Sequence, residues 1–189
     1  MQPLLATARA FLAGIPQAAA FLADWPDRPP SRLTEAARLP VLDWLAATAD
    51  YATPATALLV NALLATPGLA WRQTYGAADL PVEFLARYGW TELIGRRGPV
   101  PSETIAAGFL LLGPATHYPR HCHQAEELYI PLAGTADWLR EAAPFAPVPP
   151  GTPIHHPSWL VHAMRTHAQP LLAFYLWRGG DLAQKSILA

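Results

Sequence analysis

Charged residues are scarce in this sequence, which limits the partners that the protein can have. Asp, Glu, Lys and Arg make up 14% of the 189 residues, against about 25% in a typical soluble domain. The net charge is −1, and no run of Lys or Arg could follow a phosphate backbone, so we expect no nucleic-acid partner. The hydrophobic fraction of 52% indicates extra buried surface, and a homodimer interface is one way to supply it.

Cysteine is nearly absent as well. The single Cys122 excludes an intramolecular disulfide and a cysteine-based zinc cluster, and it fits a reducing compartment. The apolar N-terminus lacks the basic start of a secretory signal. Pro16 and Asp24 interrupt it before it reaches the roughly 18–20 apolar residues of a membrane span. We therefore expect a cytoplasmic protein without a membrane segment.

The first half of the chain, up to about residue 90, is rich in Ala and Leu and predicts a helical lobe. Thr53 and Pro54 are typical of an N-cap followed by the first helical position. A proline at position 40 is expected to interrupt the helix that contains it. The predicted helices are Ser31–Asp50, Ala55–Ala65 and Pro81–Tyr88.

From about Trp90 the sequence changes to short apolar runs separated by Gly and Pro, which are typical of an all-β sandwich or barrel. Residues 144–150 are predicted to be an extended connector. The whole chain is therefore expected to be mainly β, with a helical lobe over residues 1–90 and a barrel over residues 91–189. The predicted strands are Trp90–Ile94, Gly108–Leu112, Glu127–Leu132, Thr135–Leu139, Thr152–His155 and Leu171–Trp177.

All seven histidines lie between residues 117 and 167, so we expect the functional site in this part of the chain. On a strand, His121 and His123 would point to the same face, and Glu127 can return to that face four residues later. Imidazole and carboxylate together suit one divalent transition metal ion: zinc, iron(II) or manganese(II). A fourth ligand must come from another strand, and His162 offers one.

The remaining polar residues of this region have weaker claims as ligands. His121 is the least secure of the four, because three protein ligands already satisfy a catalytic metal and leave positions open. Glu126 would lie on the opposite face, in solvent. The other histidines are expected in loops or as partners that orient the ligands; they are His117, His155, His156 and His167.

The spacing H-x-H-x3-E-x6-G from His121 to Gly134, with His162 in a later segment, resembles the two motifs of the cupin superfamily. The resemblance implies a small double-stranded β-helix, or jelly-roll barrel, with the metal inside its mouth. The departures from the motifs stand at turn and support positions: Ala115 and Trp159 replace glycines, and Thr166 replaces an asparagine.

A narrower resemblance covers Gly113–Tyr129, within which Tyr118 to Tyr129 has the pattern Tyr-Pro-x-His-x-His-x-Ala-x-Glu-x-Tyr, and it includes the later segments His162–Thr166 and Tyr175–Gly179. It resembles the DddQ-like cupin lyases that act on dimethylsulfoniopropionate (DMSP). The resemblance implies a carbon–sulfur lyase that cleaves this small molecule to dimethyl sulfide and acrylate. It also implies that His123, Glu127 and His162 hold the metal with Tyr129 as a further ligand, and that Tyr118 is the catalytic base.

The residue types themselves suit this chemistry. A β-elimination needs a positioned base, and a tyrosine serves only if a nearby cation favours its phenolate. A sulfonium is a cation that aromatic faces attract, and Tyr175 and Trp177 alternate onto one face of the last long strand. The alternatives are structural: Tyr118 at the barrel rim, and Tyr129 or Trp177 packed in the core.

Two other functions remain open at this point. One is a different metal-dependent cupin enzyme, a dioxygenase or an isomerase acting on a small carboxylate. The other is a non-catalytic, metal-bound cupin that binds a small molecule. The N-terminal helices carry few basic residues, which disfavours a sensor that binds DNA.

Overall fold

The structure is a computed structural model that describes residues 1–27, 31–35 and 38–189. Its α-helices are α1 (Gln2–Ala13), α2 (Ala19–Leu22), α3 (Ala57–Leu64) and α4 (Val82–Leu85), and 3-10 helices cover Pro16–Ala18, Pro40–Trp44 and Ala46–Tyr51. The strands are β1 (Trp71–Arg72), β2 (Tyr88–Ile94), β3 (Ile105–Leu112), β4 (His117–Cys122), β5 (Glu126–Ala133), β6 (Ala136–Arg140), β7 (Ala146–Val148), β8 (Ile154–His156), β9 (His162–Thr166), β10 (Leu171–Arg178) and β11 (Ile187–Leu188).

The strands form two sheets with antiparallel pairing. One has the order β1-β2-β3-β10-β5-β8 and the other the order β11-β4-β9-β6-β7. Because both sheets combine early and late strands, residues far apart in sequence become neighbours inside the barrel. The expected mainly β fold with N-terminal helices is confirmed.

The six-stranded sheet is buried on both faces. All eight residues of β3 are buried, as expected for a strand covered on both sides. On the outer face, Phe109 and Phe174 belong to one apolar cluster with residues of α1 and α3, such as Leu12 and Leu59. On the inner face, a second cluster of aromatic and aliphatic residues lines the interior. The helices therefore cover the outside of this sheet and leave its inside for the pocket.

The register of β10 decides which of its residues face inward. Against β5, Tyr175 pairs with Tyr129 and Trp177 with Glu127. A shift in register between Leu172 and the following residue precedes this regular pairing. The bulge therefore lies upstream of the residues that reach the pocket.

The predicted α-helix over Ser31–Asp50 is wrong within the described residues. Residues 31–35, 38 and 39 form no helix, and residues 36–37 lie outside the described part. After Pro40 the chain makes 3-10 turns, in which Leu42 N–H donates to the carbonyl of Leu39, three residues back. Proline at the start of this segment fixes φ for a turn, but short 3-10 turns follow instead of a continuous α-helix.

The other two predicted helices are shorter than expected. The helix predicted over Ala55–Ala65 spans Ala57–Leu64, because Thr56 is the N-cap and residues 54–56 form a turn. The Thr56 hydroxyl donates to the carbonyl of Leu132 at 2.6 Å, which ties this turn to β5. The helix predicted over Pro81–Tyr88 ends at Leu85, because Tyr88 already pairs in β2.

The predicted strands are present as β2, β3, β5, β6, β8 and β10, with ends shifted by up to three residues. The predicted connector at residues 144–150 contains β7. Strands at His121 and His162 were expected, but no bounds were predicted for β4 and β9, because the two histidines break their apolar patterns. His123 lies just after β4 and not on it. Strand β1 and the start of β2 precede residue 91 and already belong to the sheet, and the division into a lobe and a barrel stays a prediction.

Left-handed backbone appears where the sequence motifs expect glycine. Gly134 has φ +77, and a Cβ there would lie 1.9 Å from the Pro170 carbonyl oxygen. Ala115 (φ 49) and Trp159 (φ 64) replace motif glycines and still adopt positive φ, at a cost of roughly 1–2 kcal/mol each. These turns therefore keep their geometry despite the substitutions.

Among the described residues, no single helix is long and apolar enough to cross a membrane. The bent pair Gln2–Ala13 and Pro16–Leu22 passes that test by length and composition only.

Candidate active site

Three of the predicted ligands meet inside the barrel. His123 follows β4, Glu127 lies on β5 and His162 begins β9. Their ligand atoms all lie within 4.8 Å of one another. Glu127 Oε2 is 3.1 Å from His123 Nε2 and 3.3 Å from His162 Nε2, and all three side chains are buried. This group is here called the His–His–Glu group.

Backbone carbonyls determine which nitrogen of each imidazole in and beside this group carries a hydrogen. The Nδ1 atoms of His121, His123 and His162 lie 2.8, 2.9 and 2.9 Å from carbonyl oxygens two residues away. Because a carbonyl only accepts, each Nδ1 carries the hydrogen and each Nε2 is left with a lone pair, unless a second proton is bound. His162 Nε2 is buried and forms no hydrogen bond with any described residue, although it lies 3.3 Å from Glu127 Oε2.

The donor set therefore fits a metal ion. Lone pairs of Glu127 Oε2 and two imidazoles converge in a buried space, and a cation between them is required to offset their repulsion. Burial raises the pKa of the Glu127 carboxyl, but positive charge on His123 and hydrogen bonds from the surrounding imidazoles outweigh it and hold that pKa well below its ordinary range. Without a metal ion a shared proton supplies this positive charge, and a bound metal ion would take its place. Burial, followed by His162, lowers the pKa of His121. An ionised carboxylate and neutral imidazoles are the forms that bind metals.

His121 lies beside the His–His–Glu group without being part of it. Its ring is 4.1 Å from the ring of His162 and 6.4 Å from that of His123. It is stacked on Tyr118 at 4.0 Å with an interplanar angle of 8°. His121 thus links the group to the tyrosine that the sequence singled out as a base.

Tyr118 is buried at the inner wall, on β4. Its hydroxyl donates to the hydroxyl of Tyr75 at 3.3 Å, and Tyr75 donates to the carbonyl of Ser186 at 3.4 Å. Burial, reinforced by Tyr88 and Tyr75, raises the pKa of Tyr118 well above its ordinary value. A proton acceptor at this position therefore needs a cation close by to favour the phenolate.

Tyr129 shares the inner face of β5 with Glu127. Its ring centroid is 6.5 Å from that of His162 and 6.0 Å from that of His156. Burial, followed by the charge of Glu127, raises its pKa well above the ordinary value. Tyr129 thus faces the same space as the candidate ligands.

Trp177 contacts two members of the His–His–Glu group. Its Nε1–H donates to Glu127 Oε1 at 2.6 Å, and its ring centroid lies 4.1 Å from that of His123. Tyr175 is next to it on the same face, with ring centroids 6.4 Å apart. The two predicted substrate-binding aromatics are therefore adjacent, and Trp177 also orients a candidate ligand.

The other predicted polar residues lie at different distances from the site. His156 is buried and stacked on His162 at 4.0 Å, and its Nδ1 lies 3.3 Å from Glu127 Oε2. Glu126 faces outward as predicted, but it is only partly exposed because Arg178 and His155 pair with it. Of the remaining two, His117 is exposed and His167 pairs with Asp137 at 3.1 Å.

Sequence reasoning missed several pocket residues. The pocket encloses about 530 Å³, including space that opens to solvent. Among its lining residues that were not predicted are Thr74, Tyr88, Trp90, Glu92, Arg97, Leu182, Gln184 and Ser186. The only signal for those on β2 is the alternation of Tyr88, Trp90 and Glu92, which predicts a shared face. Nothing in the sequence pairs that face with His123 or His162.

The two sheets around a His–His–Glu group form a cupin-like fold. A cupin-2 domain protein from Rhodospirillum rubrum superimposes with a TM-score of 0.52 at 19% identity, over 66% of this chain and 77% of that chain. A likeness at this identity supports the fold alone.

A family model for DMSP lyase matches residues 16–173, and the chain belongs to the DMSP lyase family. DMSP lyase DddQ of Ruegeria pomeroyi is 37% identical over 188 residues, which cover 99% of this chain and 92% of the relative. The crystal structure of that relative superimposes with a TM-score of 0.90 at 36% identity, over 100% of this chain and 95% of that chain. A putative DMSP lyase DddL of Cereibacter sphaeroides is 36% identical over 115 residues, 60% of this chain and 47% of the relative.

Proposed function

We propose that this protein is a carbon–sulfur lyase that cleaves DMSP to dimethyl sulfide and acrylate. One observation carries the proposal. A buried tyrosine, Tyr118, lies against His121 beside the His–His–Glu group, in a chain that matches a named DMSP lyase over nearly its whole length. A base next to a cation site is the arrangement that a β-elimination requires.

The reaction breaks two bonds and forms two. A base removes a proton from the carbon next to the carboxylate, and the electron pair of that C–H bond becomes the carbon–carbon double bond of acrylate. The carbon–sulfur bond breaks, and its electrons leave with sulfur, which departs as neutral dimethyl sulfide. The base ends with one additional proton, which it must pass to solvent before the next turnover.

His123, Glu127 and His162 are the proposed metal ligands, with Tyr129 as a further oxygen ligand and His121 adjacent. When bound, a divalent ion such as zinc, iron(II) or manganese(II) would act as a Lewis acid on the substrate carboxylate and make the neighbouring C–H more acidic. Trp177 holds Glu127 through its Nε1–H, and His156 lies within 3.3 Å of the same carboxylate. These contacts position the carboxylate.

Tyr118 is the proposed base. Its burial means that solvent does not compete for its oxygen, and its hydroxyl leads through Tyr75 to the carbonyl of Ser186. Positive charge at the His–His–Glu group would lower the pKa of the phenol and favour the phenolate that accepts the proton. The hydroxyl of Tyr75 can then donate to that phenolate and stabilise it.

Tyr175 and Trp177 are the proposed wall for the sulfonium. Both line the pocket, and their faces offer negative quadrupole density to a cation that has no N–H to donate. Their ring planes are inclined at 66°, so they form two sides of a corner. A dimethylsulfonium group would fit with a methyl group against each ring.

The test is detection of both products with purified, metal-loaded protein. Headspace gas chromatography should find dimethyl sulfide, and proton NMR should find acrylate in equal amount, without consumption of oxygen. The matched control is Tyr118→Phe, which keeps the ring and removes the oxygen. Turnover of a small carboxylate only in the presence of oxygen would identify a dioxygenase instead, and tight carboxylate binding without any turnover would identify a binding protein.

A further inference from the structure

A second carboxylate, Glu92, lines the same pocket far from the His–His–Glu group. It lies on β2, on the face that it shares with Tyr88 and Trp90, all of which line the pocket. The side chain is buried, with 5% of the residue exposed. A carboxylate buried at the wall of a substrate pocket is costly unless something offsets its charge, so its surroundings are informative.

Backbone donors satisfy one of its two oxygens. Glu92 Oε1 accepts the N–H groups of Arg97 at 2.5 Å and Gly98 at 2.7 Å. Within the described part of the chain, no Lys, Arg or His side chain forms an ion pair with Glu92. The nearby Arg97 guanidinium instead donates to the carbonyl of Ala183 at 2.7 Å. Burial raises the pKa of the Glu92 carboxyl, and the charges of Arg97 and Arg32 oppose this only from beyond ion-pair distance. The carboxylate therefore lines the pocket without a direct ion-pair partner among the described residues.

The sheet places Glu92 beside the proposed sulfonium wall. Glu92 pairs with Gly108, and Gly108 pairs with Tyr175. Gly108 bears no side chain, and a Cβ there would approach the Thr91 carbonyl oxygen to 2.0 Å, so this position must stay empty. Glu92 and Tyr175 consequently lie on either side of a position that has no side chain. The charge of Glu92 also raises the pKa of Tyr175, second only to burial.

Three strand spacings separate the two carboxylates in the sheet. Glu127 lies on β5, and β3 and β10 separate β5 from β2. Neighbouring strands are about 4.8 Å apart, so the backbones of Glu92 and Glu127 are separated by roughly 14 Å measured along the sheet. The two side chains shorten this separation, and the space left between their carboxylates suits a short zwitterion. Its anionic end would lie at the metal ligands and its cationic end near Glu92.

We propose that Glu92 is the counter-ion of the substrate cation and a specificity-determining residue that orients the zwitterion in the pocket. The inference rests on the proposed function and deepens it. A sulfonium cannot donate a hydrogen bond, so only charge and aromatic faces can recognise it. Both are present here, and a buried carboxylate attracts a cation more strongly than an exposed one does.

The change of charge on sulfur during the reaction predicts how loss of the Glu92 charge alters KM and kcat. The sulfonium loses its charge as the carbon–sulfur bond breaks, so attraction to Glu92 is strongest in the bound substrate and weaker in the transition state. Loss of the charge should therefore raise KM more than it lowers kcat. Neutral dimethyl sulfide has no attraction to Glu92, which favours its release.

The experiment separates charge recognition from support of the loop at residues 97–98. Glu92→Gln keeps an oxygen that accepts both N–H groups and removes only the charge. Binding is measured by calorimetry with two ligands of one shape, N,N,N-trimethyl-β-alanine and 4,4-dimethylpentanoate, which differ by the cationic centre. Glu103→Gln, a carboxylate-to-amide change at an exposed side chain near the same loop, is the matched control.

The wild-type protein and Glu103→Gln should prefer the cationic ligand, and Glu92→Gln should reduce that preference by about ten-fold. Glu92→Asp, which keeps the charge, should retain more of the preference than Glu92→Gln does. An unchanged ratio in Glu92→Gln, or equal losses in Glu92→Asp and Glu92→Gln, would overturn the proposal and leave Glu92 a loop anchor. Because the ligands report binding, a wild-type protein that prefers the cation but releases no dimethyl sulfide would contradict the proposed function alone.

Discussion

The two faces of the six-stranded sheet use the same strands for different purposes. On β10, Phe174 and Leu176 face outward into the apolar cluster under the helices. Their neighbours Tyr175 and Trp177 face inward and line the pocket. On β5, Glu127 likewise faces the pocket, whereas the residues on either side of it face away.

The difference shows how the helices make the site possible. Without them, the outer face of the sheet would need polar residues, and the leucines and phenylalanines of β3, β5 and β10 would have nothing to pack against. With the outer face holding the larger apolar core, the inner face can carry His and Glu beside the aromatic residues that pack there. We therefore expect inward substitutions to change chemistry and outward substitutions to change stability.

The largest effect is expected from the ligands themselves. His162→Ala should lose the metal and all detectable lyase activity, because the His–His–Glu group would keep only two of its three donors. His123→Ala and Glu127→Ala should behave in the same way. Elemental analysis and dimethyl sulfide release measure the two losses. Full metal occupancy in all three variants would rule out this ligand set.

Tyr118→Phe should separate the base from the ligands. Removal of a general base commonly costs about 10²–10⁴-fold in rate, whereas metal content should stay at the native level because Tyr118 lies outside the His–His–Glu group. Tyr129→Phe should instead lower metal affinity and rate together. Metal analysis and steady-state kinetics on both variants check the difference. Near-native turnover by Tyr118→Phe would shift the role of base to another group.

On the outer face, Phe174→Ala should lower the free energy of unfolding. Its ring packs edge-to-face on Phe109 at 4.9 Å, and removal of a buried phenylalanine costs about 3–5 kcal/mol. The free energy of unfolding from urea titrations measures this loss, and the folded fraction should keep its metal and KM. If Phe174→Ala instead altered KM at full stability, the two faces would not be independent.

Trp177 has two roles, because its side chain faces the pocket and also donates a hydrogen bond to the candidate ligand Glu127. Trp177→Phe keeps an aromatic face and removes the N–H that donates to Glu127. Loss of such a supporting contact typically costs 10–100-fold in metal affinity or activity, so we expect about a ten-fold loss in one of them. Trp177→Ala should in addition raise KM by a several-fold to about thirty-fold factor. Competition with a metal-binding dye and steady-state kinetics separate the two contributions.

The smallest effect concerns the outward-facing Glu126. Burial raises its pKa, but hydrogen bonds from Arg178 and His155 outweigh it and hold the pKa below the ordinary value. A lowered carboxyl pKa stabilises the fold above about pH 4.3, its unfolded value, and this contribution is lost as the pH falls through the folded pKa. Because the side chain is 28% exposed, the contribution should be at most about 1 kcal/mol.

The measurement for Glu126 is urea unfolding at pH 7 and at pH 3. Glu126→Gln should be less stable than the native protein at pH 7, and the difference should shrink at pH 3. Kinetic constants should not change, since this side chain points away from the pocket. An equal difference at both pH values would show that packing, and not charge, accounts for it.

The sequence predicted the parts of this molecule that depend on local pattern. Short apolar runs located β2, β3, β5 and β10, and the spacing from His121 to Glu127 indicated candidate ligands, of which His123 and Glu127 lie 3.1 Å apart. The DMSP lyase resemblance was confirmed by the family match over residues 16–173. In each case the information lies within a short stretch of chain.

What escaped prediction depends on contacts between distant segments. Strands β4 and β9 carry polar ligands, so their pattern does not resemble that of an amphipathic strand. Glu92 is 35 positions before Glu127, and only the strand order places both at one pocket. Tyr75 and Ser186 meet through a hydrogen bond that spans 111 positions. No local rule of spacing predicts such pairs.

The register of β10 determines which insertions this strand can accept. Downstream of the bulge at Leu172, odd-numbered residues serve the pocket and even-numbered residues serve the core. Insertion of one residue there would exchange the two sets, so that Phe174 and Leu176 entered the pocket and Trp177 faced the helices. Insertion of two would preserve the parity. Length changes in this strand should therefore be tolerated in pairs, whereas single insertions should abolish folding and activity together.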